Sequence, residues 1–241
     1  MLTSLADGRL LAEKTGATPP AVVALHGWMR SGADFAAVVA GLDAVAPNLP
    51  GAGAAEPPAE VWGSPEYADL VADAIRPFGP VVVVAHSFGG RVAVHLAQRH
   101  PELVRSLVLT GVPLLKLTKP AKPALGFRVL KALAKVGLVS KARMEAERHK
   151  RGSADYRAAQ GVVRDIFVRL VNEDYREQLA AITVPVRMVW GENDTSAPAD
   201  AGEAASRLIA NASFRVVPGA GHLLEGDLVA AVREELLEAL K

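Results

Sequence analysis

Residues 80–90 read PVVVVAHSFGG: four valines run into a serine, and two glycines follow it. The valine run is the most apolar strand candidate of the chain, and FGGRVAVHLAQRH after the serine has helical spacing until Pro101 stops it. A serine between a buried strand and a helix occupies a sharp turn that lifts its hydroxyl above the sheet and strains its backbone. The strand and helix then approach so closely that the residues two before and two after the serine must be small. Here those residues are Ala85 and Gly89. With Phe88 opening the helix, its backbone N–H points toward any anion formed beside Ser87. The stretch therefore argues for an α/β fold that presents Ser87 as a nucleophile.

Outward from this stretch, strand and helix patterns alternate, which indicates a largely parallel sheet. SLADGRLLAEK reads as an opening hairpin around Asp7-Gly8, AVVALHG (21–27) as a buried strand and DAVAPNL as another. Ser31 is placed to cap a helix through Gly41. Ser64-Pro65-Glu66 starts a helix to about Arg76, with a capping hydroxyl, proline in the first turn and an early acid. LVRSLVLTG, VPVRMVWG and SFRVVPG read as further buried strands, a helix separates the last two, and DLVAAVREELLEAL is an amphipathic closing helix. Between Val112 and Thr183 the composition shifts. From Lys116 to Arg151 lysine and arginine face only Glu145 and Glu147, and helical periodicity replaces the strand signal. Residues 112–183 are accordingly expected to form an inserted helical lid on a core of residues 1–111 and 184–241.

Composition narrows the chemistry. The chain has 241 residues, 50% of them hydrophobic, enough for a substantial core, and a formal net charge of +1 that does not suit a nucleic-acid binder. There is no cysteine, so serine must carry any nucleophilic chemistry, and a reducing compartment fits. The first 16 residues scatter Asp7, Arg9, Glu13 and Lys14 without a long apolar run, unlike a signal peptide, and no stretch reaches membrane-spanning length. The expectation is a soluble cytoplasmic protein. Neither a metal-ligand constellation nor a GxGxxG after a strand is present, so no metal and no cofactor is expected.

A serine hydroxyl needs a base. Of the six histidines, His86 is expected to point away from the Ser87 side chain, His95 and His100 lie along the following helix, His149 is in the charged segment and His26 ends a strand. His222, in VVPGAGHLLEG, lies on a glycine-rich loop after the last strand, where it can reach the sheet edge from which Ser87 emerges. A neutral imidazole needs an acid to fix its tautomer. WGENDTSAP, after the preceding strand, offers Asp194, with Glu192 as the rival.

Serine, acid and histidine in that order, each on a loop after a strand, is the order of the α/β-hydrolase triad, and the chain resembles that family. LHGWMRSGADF is similar to its HG segment, NLPGAG to its L-P-G-x-G loop, AHSFGG to its nucleophile elbow, WGENDTSAP to its acid loop and GAGH to its histidine loop. Three departures stand out: Ala85 for the usual elbow glycine, Asn48 for a common aspartate, and Ala54-Ala55 for a serine often found there. The resemblance implies an eight-stranded, mostly parallel sheet flanked by helices. It also implies a Ser87–Asp194–His222 triad, an oxyanion hole from the Trp28 and Phe88 backbone N–H groups, and a supporting role for His26. The implied activity is hydrolysis of carboxylic ester or thioester bonds of small to medium acyl substrates. A serine nucleophile sets the chain apart from dehalogenases and epoxide hydrolases of this fold, which use aspartate.

GFRVLKALAKVGL puts Phe127, Leu130 and Leu133 on one helical face and Arg128, Lys131 and Lys135 on another. The plain expectation is an apolar face packed on the body. The sharper one is a basic surface for an anionic carrier such as coenzyme A, an acyl-carrier protein or a membrane surface. Met29 and Arg91 are candidate substrate contacts, while Tyr156, Phe167 and Trp190 read as core or pocket wall. Arg91 resembles an arginine of menaquinone-pathway lyases of this fold. That likeness keeps a lyase or carbon–carbon hydrolase of carboxylate substrates as one alternative, beside a ligand-binding protein without turnover.

Overall fold

In the computed structural model, residues 1–17, 19–52, 55–117, 125–151 and 153–241 are described, apart from the side chains at 125, 127, 128, 131, 141, 148 and 151. Ala54, Lys119 and Lys122, and the side chains of Phe127, Arg128 and Lys131, thus lie outside the described residues. Strands β1 (Leu2–Leu5) and β2 (Leu10–Thr15) form the opening antiparallel hairpin. They are followed by β3 (Val22–Leu25), β4 (Ala44–Pro47), β5 (Val81–His86), β6 (Val104–Thr110), β7 (Val186–Gly191) and β8 (Ala212–Val217). The eight strands make one sheet in the order β1-β2-β4-β3-β5-β6-β7-β8, antiparallel from β1 to β4 and parallel from there on.

The valine run is explained by burial on both faces of the sheet. All six residues of β5 are buried. Val83 and Ala85 point into one apolar layer with α1 (Ser64–Ile75) and α2 (Phe88–Arg99). Val82 and Val84 point into the other, with Phe35, Val38 and α9 (Gly226–Ala239). Each such side chain contributes about 1.5–3 kcal/mol of burial, so this strand is a large share of what holds the three layers together. β8 departs from the expected buried strand. It lies at the sheet edge beyond β7, and Ser213, Arg215 and Val216 are exposed.

Two helix starts also differ from expectation. Ser31 makes no capping hydrogen bond, and only a 3-10 turn, Gly32–Phe35, follows it. Asn48 Oδ1 accepts the Gly32 N–H at 2.9 Å, and a side chain at position 32 would lie 2.3 Å from the Ala46 carbonyl oxygen. The turn is thus pinned to β4 instead of running on as a helix, and Asn48 supplies an acceptor where the family's aspartate would. At α1 the N-cap Gly63 N–H is accepted by Glu66 Oε2 at 2.8 Å, and the first helical N–H, that of Ser64, by Glu173 Oε1 at 2.9 Å. The Ser64 hydroxyl instead meets the Tyr175 hydroxyl at 2.9 Å.

Between β6 and β7 the chain forms α3 (Leu125–Lys135), α4 (Lys141–Arg151), α5 (Ala154–Ala158), α6 (Gly161–Leu170) and α7 (Arg176–Ala180), and α8 (Ala199–Ser206) separates β7 from β8. Of the apolar face of α3 expected to pack on the body, Phe127 lies outside the described side chains and Leu130 is half-buried. Leu133 is 37% exposed, and Val136 and Leu138 in the turn beyond are 69% and 74% exposed. α3 packs on α4, and that neighbour is too polar to cover an apolar face. No helix among the described residues is long and apolar enough to cross a membrane.

Candidate active site

Sheet order selects the location. From β3 the chain steps outward to β4, then returns to the other side of β3 to form β5, so the loops leaving β3 and β5 diverge. In an open parallel sheet that reversal creates a crevice beyond the carboxyl ends of the strands. Leu25 and Ala85 are paired across this boundary, which sets the HGW loop beside Ser87.

Ser87 has φ 51° and ψ −113°, a strained conformation for a residue with a side chain. The turn is held by Ser87 N–H donating to the Thr110 carbonyl at 3.0 Å and Gly89 N–H donating to the His26 carbonyl at 3.0 Å. Gly89 cannot be larger: an added Cβ would lie 2.2 Å from the Leu25 carbonyl oxygen. Backbone N–H groups of Trp28 and Phe88 take no part in the loop and turn hydrogen bonds found among the described residues. Both residues line the pocket beside Ser87.

His222 Nε2 lies 3.3 Å from Ser87 Oγ, and its Nδ1 lies 2.8 Å from Asp194 Oδ2. The first distance is long for a hydrogen bond to a hydroxyl, as is common before substrate arrives. Asp194 is 4% exposed, and its other oxygen accepts from Ser196 N at 2.9 Å and Ala197 N at 2.7 Å, so the carboxylate is fixed before it meets the imidazole. Glu192 turns elsewhere: its Oε2 accepts the Gly219 N–H at 2.8 Å and ties down the start of the histidine loop. That loop folds back over β7 through Asn193 N–H donating to the Ala220 carbonyl at 2.8 Å. Gly111, at φ +59°, backs the Asp194–His222 contact, and a Cβ there would come within 3.1 Å of His222 Nδ1 and 3.2 Å of Asp194 Oδ2. Three loops after three strands thus deliver Ser87, Asp194 and His222 to one point.

His26 is fully buried and donates from Nδ1 to the Gly27 carbonyl at 2.8 Å, while Nε2 accepts the Leu49 N–H at 2.9 Å. Burial lowers its pKa, which keeps this two-sided clamp neutral. His86 does not simply point away. Its Nε2 donates to the His222 carbonyl at 2.8 Å, a contact that a two-residue-period reading of the strand does not reveal.

The pocket above Ser87 has a volume of about 610 Å³. Trp28, Phe88, Phe167 and Leu170 form apolar walls, and Arg30 and Asp155 stand at polar positions. Trp28 packs edge-on to Phe88 and tilted on Phe167, with ring centroids 5.4 Å apart in both pairs. Met29 is absent from the lining and is 43% exposed, its backbone at φ 54° turning the chain between Trp28 and Arg30. Arg91 lines the pocket, but it is neither on the surface nor free to greet a carboxylate with its whole fork. Nε and Nη2 donate to the Pro113 carbonyl at 3.2 and 3.0 Å, and Nη1 to the Leu170 carbonyl at 2.7 Å. Its guanidinium also lies 5.7 Å from the Tyr175 ring centre. Trp190 is core, with Nε1–H donated to the Ala197 carbonyl. Among the described residues no group of three His, Cys, Asp or Glu side chains is placed to hold a metal ion.

The fold and this arrangement define a class. The sequence profile described as "Alpha/beta hydrolase family" matches residues 22–235, and the chain belongs to that family. Among curated proteins it is similar to the pimeloyl-[acyl-carrier protein] methyl ester esterase of Neisseria meningitidis serogroup C, 29% identical over 91% of this chain and 94% of that one. The enzyme of the same name from Aromatoleum aromaticum is 38% identical, over 44% of this chain and 42% of its own. Among solved structures, a thermophilic esterase from Thermogutta terrifontis superposes with a TM-score of 0.69 at 20% identity, covering both chains fully, a likeness of fold.

Proposed function

We propose that this α/β-hydrolase cleaves carboxylic ester or thioester bonds of small to medium acyl substrates through an acyl-enzyme on Ser87. The observation that carries the reading is the chain of contacts Ser87 Oγ–His222 Nε2 and His222 Nδ1–Asp194 Oδ2 at the floor of an apolar pocket. His222 takes the hydroxyl proton as Ser87 Oγ attacks the carbonyl carbon. The negative charge that forms on the carbonyl oxygen is received by the N–H groups of Trp28 and Phe88, a type of contact worth about 10²–10³ in rate per donor. His222 then gives its proton to the departing alkoxide or thiolate, and the acyl group stays on Ser87. Water loses a proton to His222, attacks the ester carbonyl, and the acid leaves as Ser87 recovers its proton. Asp194 holds the tautomer that keeps Nε2 free to accept.

The acyl group would lie among Trp28, Phe88, Phe167 and Leu170, with the helical segment 112–183 acting as a lid. The names of the two relatives support a methyl ester of an acyl group held on an acyl-carrier protein. The surplus of lysine and arginine between Lys116 and Arg151 would suit such an acidic carrier, and the absence of cysteine accords with a cytoplasmic setting. The lyase alternative rested on Arg91, whose Nε, Nη1 and Nη2 are engaged by backbone carbonyls.

Labelling with a fluorophosphonate, followed by intact mass and peptide mapping, tests the reading. A single adduct on Ser87, lost in Ser87→Ala, together with turnover of p-nitrophenyl esters, is expected. A folded protein that takes no label is a binding protein instead.

A further inference from the structure

His86 has a geometry that packing alone does not explain. It ends β5, next to Ser87, and its Nε2 lies 2.8 Å from the carbonyl oxygen of His222, on the loop after β8. A carbonyl oxygen only accepts, so Nε2 carries the proton and Nδ1 of the neutral ring is an acceptor. That Nδ1 is buried without a hydrogen-bond partner among the described residues, and it faces Gly27, where a built Cβ would come within 3.0 Å of it. A buried acceptor without a partner destabilises the fold, and an aliphatic side chain of similar volume would avoid that loss. The ring is 3% exposed, and burial, with the neighbouring His222 adding to it, pushes its pKa down to about 4. His86 is thus a neutral donor. Its ring centre is 4.8 Å from that of His222, wedged between the HGW loop and the histidine loop. Glu192 and Asn193 hold the start of the histidine loop, at Gly219 and Ala220, and Gly221 just before His222 leaves the last step to be held from outside.

We infer that His86 is a positioning residue: its Nε2–H, donated to the His222 carbonyl, ties the histidine loop to the strand that carries Ser87 and keeps the His222 imidazole over the serine hydroxyl. The inference rests on the acyl-enzyme reading above. It also explains why an unsatisfied nitrogen is kept in the core. The donor on the opposite side of the ring is the part in use, and the ring must stay uncharged beside the imidazolium that forms on His222 during attack.

Two variants test it. His86→Leu removes the donor and the orphan acceptor together, while His86→Gln keeps an amide N–H near the same place. In His86→Leu, kcat on a p-nitrophenyl ester and the rate of fluorophosphonate labelling are expected to fall about tenfold, the worth of one hydrogen bond, with KM within about twofold. Its Tm is expected to stay close to that of the wild type, because the orphan Nδ1 is removed while the His222 carbonyl loses its donor. His86→Gln recovers most of the lost kcat. Unchanged kcat in His86→Leu overturns the role, as does a joint loss of kcat and Tm in both variants, which would mark His86 as packing only. A wild-type protein that takes no label on Ser87 overturns the acyl-enzyme reading itself, and the positioning role falls with it. A labelled wild type with an indifferent His86→Leu overturns the positioning role alone.

Discussion

The body of the sheet and the outer end of the helical segment between β6 and β7 are built on opposite terms. In β5 every residue is buried on both faces, whereas at the end of α3 and beyond Leu133, Val136 and Leu138 remain in solvent. The body fixes Ser87, His222 and Asp194 through main-chain bonds on three loops, to the Thr110, His26 and Ala220 carbonyls and from the Ser196 and Ala197 amides. The helical segment meets the body through side chains, such as Arg91 to Leu170 and Arg169 Nη2 to Glu66 Oε1 at 2.7 Å. The site therefore stands on the part that cannot shift without breaking the sheet, and the pocket wall is shared between that part, through Trp28 and Phe88, and the segment, through Phe167 and Leu170. In energetic terms, a change in the body or at the inner side chains of the segment, such as Ile166, Tyr175 and Leu179 in the same buried core, should alter rate or fold stability strongly, and one at the exposed end of α3 should alter little.

The sharpest break of this contrast is Ser87→Ala. It is expected to remove on the order of 10⁴-fold or more of ester turnover while leaving the denaturation midpoint in place, measured by initial rates beside thermal melts. Next comes the acid. Asp194→Asn should lower kcat by about 10³–10⁴ because the amide cannot hold the same tautomer, while Glu192→Gln, whose partner is Gly219, should stay within about threefold. Equal losses in the two variants would put the acid in the wrong place.

Arg91→Ala probes the seam between body and segment. It strips the Pro113 and Leu170 carbonyls of their donors, and a loss of roughly 2–4 kcal/mol in chemical denaturation is expected. Its kinetic effect should be alike for substrates with and without a carboxylate. A loss confined to carboxylate substrates would restore the arginine as a substrate contact.

A fourth test uses acid. Burial lowers the His86 pKa from 6.5 to about 4, so between those values the unfolded chain binds a proton that the folded chain excludes. The corresponding stability is fully present above pH about 6.5 and is lost as the pH falls toward 4, by up to roughly 3 kcal/mol. Comparing the pH dependence of unfolding free energy in wild type and His86→Gln isolates this share from that of His26, and parallel curves would contradict it. The smallest effect belongs to the exposed end of the segment: Val136→Ser should move stability by no more than about 0.5 kcal/mol, and a larger shift would mean that this surface is covered by something in solution.

How much of this was readable in the chain follows from the range of the interactions involved. Ser87 is legible because strand, turn and helix are consecutive, and Gly89 is demanded by the same local turn. Asp194 and Glu192 stand two residues apart on one loop, so propensity cannot separate them. What separates them is His222 on one side and Gly219 on the other, contacts of Asp194 and Glu192 to the loop after β8 that are made only when β7 and β8 pair. Ser31 and Ser64 look like helix caps in sequence, yet Asn48 takes the Gly32 N–H and Glu66 and Glu173 take the N–H groups at the start of α1, and local propensity places none of these three contacts. β8 reads as apolar enough to be buried and is not, since no strand or helix in the alternation says which strand ends at the edge.

By itself, then, the sequence determined the alternation of strands and helices, the serine at the turn after β5, and the small residue that lets the strand and helix close up. These depend on neighbours within a few residues, where periodicity and steric size are decisive. The tertiary structure alone decided which acid reaches His222, that Arg91 binds the main chain of the helical segment, and that His86 reaches the histidine loop. Each of those is a hydrogen bond between residues far apart in the chain, and its geometry exists only after the sheet has set its strands in order.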